Sequence, residues 1–301
     1  MDLEFKKPNF FIIGAAKAGT TSLFDILRQH PQVYFPFDKE PAFFCNDGYY
    51  KKGEEWDLNT FFRQTHHKPL RGEATSRYLY FAEKVAPRIK RFSLPASPSF
   101  IAIFRDPAKL VYSYYWNSVR EGHEDLPFKD ALIAEKNRMA KYQVQLENKG
   151  LIRFAYSKIG LYAQQVEKYL NYYPKDKFLF LLNEDLSDFS PLAHQLQDFL
   201  GLDDHFTQLS PKKSNPTALP KNSNLHNWLR KNSKIKNLLK PLLPYRLRYK
   251  LKENILESNL RVIIPPDLDD ETTNFIRTLY SEEIKRLQEI ICRDLSKWLP
   301  G

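Results

Sequence analysis

The sequence predicts an α/β fold with a central, mainly parallel sheet flanked by helices, and three observations carry that expectation. Residues 10–13, Ser99–Phe104 and Phe178–Leu182 are short, continuous apolar runs, the pattern of strands buried on both faces. Stretches of helical length separate them, as parallel strands require. The first two runs end in tight turns that open into helices. Ligands in such sheets bind beyond the C-terminal ends of the strands, so the turns after Ile13 and Phe104 should face one crevice.

The elements follow in order. Residues 10–13 lead into Gly14-Ala15-Ala16-Lys17-Ala18-Gly19, small residues that let the backbone turn tightly and approach a ligand. Thr20, Thr21 and Ser22 then open a helix with Leu23, Phe24, Ile26 and Leu27 at helical spacing, and Pro31 ends it. Residues 33–37 are extended and broken by Pro36. Residues 57–64 predict a short helix, 70–76 a strand end running into a loop, and 78–91 a helix kinked at Pro87. Pro107 suits the first position of a helix reaching about Arg120. Two amphipathic helices follow at Phe128–Asn148 and 156–172. Ser190 and Pro191 cap and start another, which Gly201 closes. A last helix, about 271–292, places Phe275, Ile276, Leu279, Ile284, Leu287 and Ile291 on one core-facing stripe.

At 301 residues with 42% hydrophobic and 14% aromatic side chains, the chain can bury a large core and is not expected to be disordered. A single domain over 1–301 is expected, with a basic helical insertion or lid at about 212–262. No run of about twenty apolar residues predicts a membrane span, and the first residues lack the apolar region of a secretory signal. Cys45 and Cys292 suggest neither a disulfide framework nor a metal site, which points to a reducing, cytoplasmic setting. The net charge is +10, yet residues 212–252 hold twelve Lys or Arg and no acid, and the rest sums to −2. Nucleic acid is therefore not the expected partner of the chain as a whole. Residues 224–252 are the candidate contact for an acidic glycan or an anionic membrane surface, or are a solvated helical face.

The stretch at 10–22 carries the chemistry. A helix start exposes unpaired N–H groups and about half a positive charge, so strand, turn and helix together form an anion site. Lys17 adds a full charge and Thr20, Thr21 and Ser22 add hydroxyls. A Walker A loop places its Lys after the second Gly. Here Lys17 precedes Gly19, and Thr20 stands where that Lys belongs. Arg105 leaves the second strand at its C-terminal end, and Ser113 follows eight residues later, a second grip for a phosphate. Taken singly, each has a plainer reading: a βα turn with a chance Lys, and an Arg paired with its neighbours. Together they point to a nucleotide with phosphates at both ends. A P-loop kinase or NTPase is the rival, opposed by the displaced Lys and the lack of a clear Walker B strand. A non-catalytic nucleic-acid-binding protein is the other; it accounts for the basic segment but not for two anion loops at strand ends.

These motifs resemble those of sulfotransferases that use 3′-phosphoadenosine 5′-phosphosulfate (PAPS). Residues 14–22 resemble the family's 5′-phosphosulfate loop, and Arg105-Asp106-Pro107 with Ser113 its 3′-phosphate motif. The likeness continues through Lys39-Glu40 before Phe43-Phe44, through Gly72-Glu73-Ala74-Thr75 and Glu184-Asp185-Leu186, and to Asp294-Leu295-Ser296-Lys297-Trp298-Leu299. It covers nearly the whole chain apart from the basic segment, and is nearest to the heparan-sulfate-type and bacterial carbohydrate sulfotransferases. The resemblance implies a P-loop-like three-layer fold. It implies that amides of Ala18, Gly19, Thr20, Thr21 and Ser22, with the threonine hydroxyls, hold the 5′-phosphosulfate. Lys17 would neutralise the bridging oxygen, while Arg105 and Ser113 would hold the 3′-phosphate. Glu40 matches the family's catalytic base, with Glu73 the alternative; His66 and His67 read as loop residues. Lys213, in a loop expected to close over the nucleotide, would help hold the 3′-phosphate. The product nucleotide would be 3′,5′-ADP, the acceptor a glycan or glycolipid, and no metal is implied. The chain departs from heparan-type members at Ala42, where they often have His, and at Ala74, where they often have Lys. These departures spare the donor site and leave heparan sulfate itself unsupported as the acceptor.

Overall fold

The computed structural model describes residues 7–37, 39–63, 65, 68–92, 97–203, 218–222, 254–256 and 258–301. His66, His67, Lys213 and nearly all of the basic segment lie outside the described residues. In chain order come β1 (Phe10–Gly14), α1 (Thr20–Leu27), β2 (Val33–Tyr34), α2 (Asp47–Tyr50), α3 (Glu54–Phe61) and β3 (Leu70–Ala74). Next are α4 (Ala82–Arg91), β4 (Ser99–Phe104), α5 (Pro107–Arg120), α6 (Phe128–Asn148), α7 (Tyr162–Leu170) and β5 (Phe178–Leu182). Then follow α8 (Phe189–Leu200), β6 (Ala218–Pro220), β7 (Leu260–Val262), α9 (Asp270–Leu279) and α10 (Ser281–Ile291).

The first five strands form one sheet in the order β2-β3-β1-β4-β5, with every neighbouring pair parallel. Successive residues of a strand face opposite sides, and β1 is covered on both. The Phe10 ring lies 5.3 Å from Phe35, which in turn packs 4.7 Å from Phe24 of α1. Phe11 meets Phe44 and Phe100 on the other face, and Phe100 meets Tyr169 of α7. Phe10 and Phe11 are fully buried, and each contributes about 1.5–3 kcal/mol by leaving water. The expected α/β architecture, helices on both faces of a parallel sheet, is what the chain builds. Because β1 sits between β3 and β4, the strand order switches there, and the crevice opens at the C-terminal ends of these strands.

Several boundaries differ from expectation. The short helix starts at Glu54 rather than at residue 57, behind Gly53 at φ 85°. Residues 78–81 are turns, and α4 begins only at Ala82. Pro87 does not end α4, which runs on to Arg91; the carbonyl that loses its helical donor there is that of Glu83, an exposed residue. α7 starts at Tyr162 rather than at residue 156. The C-terminal stripe also breaks, into α9 and α10 at Tyr280. That ring packs against Gly160, where an added Cβ would lie 2.9 Å from it, and the Tyr280 hydroxyl donates to the Tyr156 carbonyl at 2.7 Å. The turn buries Ile276, Ile284 and Leu287 but leaves Phe275 and Leu279 more than half exposed, so those two are not core residues.

β6 and β7 pair antiparallel, Ala218 opposite Val262, and so join the two ends of the stretch that contains the basic segment. Tyr112 of α5 donates to the Pro266 carbonyl at 2.8 Å, tying the chain after this stem to the helix that carries Ser113. Among the described residues, no helix is long and apolar enough to cross a membrane.

Candidate active site

The loop after β1 owes its path to backbone conformations that side chains disfavour. Gly14 has φ 152°, and a Cβ there would lie 2.7 Å from the Leu79 Cβ and 2.8 Å from the Ser76 carbonyl. Gly19, at φ 113°, is pressed against the Leu186 side chain. Lys17 itself is left-handed at φ 69°. The loop is stapled from outside: the Ala15 amide donates to the Ile103 carbonyl at 2.8 Å, and Asn183 Nδ2 donates to the Ala18 carbonyl at 2.8 Å. Ala18 differs from its expected role. It is fully buried, and its amide donates to the Ala15 carbonyl at 3.2 Å, so it shapes the turn.

α1 has neither a side-chain cap nor an acidic residue in its first turn. The amides of Thr20 and Thr21 therefore have no intrahelical acceptor and suit an external anion. Lys39 Nζ donates to Thr21 Oγ1 at 2.8 Å, which leaves the threonine's own hydroxyl hydrogen to be donated elsewhere. Arg105, at the end of β4, donates to the Lys17 carbonyl at 3.2 Å, and its buried Nε has no hydrogen-bond partner. Tyr162 holds the Arg105 carbonyl at 3.0 Å. The next residue, Asp106, caps α5 by accepting from the Ala108 amide and is clasped by Arg277 of α9 at 2.6 Å. Arg105 is thus held through its own backbone carbonyl and through the side chain of its neighbour.

Lys17, Gly19, Thr20, Thr21, Ser22, Glu40, Arg105 and Ser113 line one cleft of about 760 Å³. Burial and the charges of Arg120, Arg105 and Lys39, opposed by Glu40, lower the Lys17 pKa to about 8. Cations crowded in this way mark a site that an anion relieves. The buried, unpartnered Arg105 Nε makes the same point in geometry. These residues fit a nucleotide with phosphates at two positions.

Glu40 stands on the cleft wall with about 30% of its side chain exposed. Burial would raise its pKa, but Arg77, Lys39 and the Ser76 hydroxyl together hold it below the usual carboxylate range. Ser76 Oγ donates to Glu40 Oε1 at 2.6 Å, and Arg77 Nε lies 3.4 Å from Oε2. The group is an ionised carboxylate at neutral pH, able to accept a proton at the edge of a cationic pocket. Glu73 is elsewhere: it is fully buried on β3, bonded to Tyr78 and Thr75, and is not among the residues lining the cleft.

Sequence reasoning missed Asn117, Arg120, Arg77 and Asn183, all on the cleft wall. Asn117 Oδ1 accepts from Lys17 Nζ at 3.4 Å and from Arg120 at 3.0 Å, and so links two of the cations. Asn183 follows β5 directly, and the rule that strand ends face the crevice identifies it. Among the described residues, no group of three or more His, Cys, Asp or Glu could hold a metal ion.

The family model for the sulfotransferase domain matches residues 7–238. The chain is 34% identical over 210 residues to mouse "Heparan sulfate glucosamine 3-O-sulfotransferase 3B1", covering 66% of this chain and 48% of that protein. It is 28% identical over 214 residues to mouse "Bifunctional heparan sulfate N-deacetylase/N-sulfotransferase 4", covering 66% of this chain and 23% of that one. The chain therefore spans about half the length of the first relative or less. In fold it is similar to the crystal structure of a sulfotransferase from Alicyclobacillus acidocaldarius, at TM-score 0.68 and 24% identity over 97% of this chain and 98% of that one. Mouse sulfotransferase SULT7A1, solved with PAP, is similar at TM-score 0.51 and 14% identity, covering 96% and 90%. None of these matches supports a kinase or a nucleic-acid-binding protein. The P-loop-like sheet and the match over residues 7–238 agree: the chain belongs to the sulfotransferase family.

Proposed function

We propose that this cleft moves the sulfuryl group of PAPS to a hydroxyl, or an amine, of a carbohydrate acceptor by in-line displacement. The observation that carries the reading is the pair of anion grips at the ends of β1 and β4, opening on the same cleft as Glu40. When bound, PAPS supplies an activated sulfuryl group with a phosphate as leaving group. Gly19, the first-turn amides and hydroxyls of Thr20 and Thr21, and Ser22 hold its 5′ end. Lys17 places a proton-bearing cation on the bridging oxygen as charge develops there. Arg105 and Ser113 hold the 3′-phosphate, the group that separates PAPS from ATP. Glu40 takes the acceptor's proton, and Glu73 stays the weaker alternative for that role because it is sealed from the cleft. Positioning and charge neutralisation account for most of the rate.

A glycan acceptor is supported by the names of the relatives and by Arg77, Arg120, Arg153 and His123 on the cleft wall. The basic insertion at about 212–262, Lys213 included, serves in this proposal as a lid on the single domain, with 224–252 meeting an acidic glycan or an anionic membrane. Two free thiols fit a reducing, cytoplasmic setting.

A thermal-shift titration with 3′,5′-ADP and with Mg·ATP tests the reading on wild type, Lys17→Ala and Arg105→Ala. We expect 3′,5′-ADP to stabilise wild type strongly and both variants weakly. Stabilisation of wild type by Mg·ATP but not by 3′,5′-ADP overturns it.

A further inference from the structure

The loop that carries Glu40 is held in an uncommon shape. Ala42 adopts φ 59°, a left-handed conformation that L side chains rarely take, so contacts must hold it there. Two hydroxyls provide them. The Ala42 amide donates to Thr75 Oγ1 at 3.3 Å, and the Phe44 amide donates to the Tyr78 hydroxyl at 3.1 Å. Both hydroxyls then donate onward to one atom, Glu73 Oε1, Thr75 at 3.4 Å and Tyr78 beside it. Glu73, Thr75, Tyr78 and Phe44 are fully buried, and Ala42 nearly so. Between the two hydroxyl residues stand Ser76 and Arg77, the pair that grips the Glu40 carboxylate from the cleft side. One turn, 75–78, thus holds the loop backbone through its first and last residues and the carboxylate through its middle two.

We propose that Glu73 is a positioning residue: by collecting the Thr75 and Tyr78 hydroxyls it fixes the 40–44 loop and so aims the Glu40 carboxylate at the acceptor. This rests on the reading of Glu40 as the base. Glu73 does not need its full charge for the task. Its second oxygen is buried without a partner, and burial raises its pKa to about 7. Asp57 of α3, also buried with both oxygens unpartnered, faces the same charge, and burial and Glu73 push its pKa up well above the usual range. The pair cannot comfortably hold two negative charges at neutral pH. Glutamine at position 73 keeps the oxygen that accepts both hydroxyls and replaces only the one without a partner.

The test follows the Glu40 carboxyl by isotope-edited NMR titration, assigned by difference against Glu40→Gln, in wild type, Glu73→Gln, Glu73→Ala, Thr75→Val and Tyr78→Phe. Each protein is also checked for 3′,5′-ADP binding, and turnover of labelled PAPS is read on a panel of glycan oligosaccharides. Glu73→Gln should titrate and turn over like wild type, whereas Glu73→Ala should behave like the two hydroxyl variants. Thr75→Val and Tyr78→Phe should bind 3′,5′-ADP normally, move the Glu40 midpoint upward toward its ordinary value, and lose about 10- to 100-fold in kcat, the scale of a misplaced catalytic group. In a Glu40→Ala background the same substitutions should cost nothing further. An unmoved Glu40 midpoint in both hydroxyl variants overturns the proposal, and a Glu73→Gln enzyme as inactive as Glu73→Ala makes Glu73 the base instead. If Glu40→Ala alone keeps full turnover, it is the reading of Glu40 as the base that falls.

Discussion

The proposed donor grips and the loop that carries the proposed base share one cleft but are built in opposite ways. The donor grips are local. Lys17 to Ser22 follow one strand and Arg105 to Ser113 follow another, and their functional groups include backbone amides that any compatible side chain would leave in place. The base loop is non-local: Glu40 reaches its partners across 36 positions to Ser76, and its backbone is pinned across 33 and 34 positions by Thr75 and Tyr78. A motif can specify the first kind of site, whereas the second depends on several buried side chains being right at once. Substitutions in the two regions should therefore fail differently, the first in nucleotide binding and the second in turnover.

Glu40→Ala should show the largest effect, a fall in kcat of about 10²- to 10⁴-fold, with the 3′,5′-ADP thermal shift unchanged; labelled transfer to a glycan panel measures it. Arg105→Ala should do the reverse. Hydrogen bonds to charged groups contribute about 1.5–3 kcal/mol, so calorimetry should find 3′,5′-ADP bound about 10- to 100-fold more weakly. An Arg105→Ala enzyme that binds normally but turns over slowly would erase the division between the regions.

Arg277→Ala asks how far the donor grip is braced from outside. Arg277 lies beyond the matched region, on α9, yet clasps Asp106 beside Arg105. Its loss should weaken 3′,5′-ADP binding by about fivefold, the equivalent of ~1 kcal/mol for a net hydrogen bond, and leave kcat at saturating donor nearly unchanged. The smallest effect is a pH dependence. In the proposed reading Lys17 binds the anion in its protonated form, and in the free protein its pKa is lowered to about 8 by burial and by Arg120, Arg105 and Lys39. Affinity for 3′,5′-ADP should hold below that pH and fall above it, with proton uptake on binding near pH 8. Calorimetry in two buffers of different ionisation enthalpy reads the uptake, and Lys17→Ala should abolish it.

Legibility in the sequence followed the same division. The three apolar runs and their turns predicted the parallel sheet, and Lys17, Gly19, Thr20, Arg105 and Ser113 meet in the cleft as their strand-end positions required. Glu40 emerged from a family motif, but its grip by Ser76 and Arg77 did not, because nothing local couples residues 40 and 76. Glu73 illustrates the limit. Its place near a strand end suggested the crevice, yet the side chain is fully buried and bonds inward to Thr75 and Tyr78. The C-terminal helix misled for a related reason: the periodicity of 271–292 is continuous, while the break at Tyr280 comes from a ring seated on Gly160, a partner 120 positions away.

The central claim is that the cleft recognises a nucleotide by phosphates at both ends. Calorimetric comparison of 3′,5′-ADP with 5′-ADP, on wild type and on Arg105→Ala, tests it most directly. We predict that wild type prefers 3′,5′-ADP by about tenfold or more, from one charge-assisted contact, and that Arg105→Ala abolishes the preference. Equal binding of the two nucleotides by wild type would contradict the account.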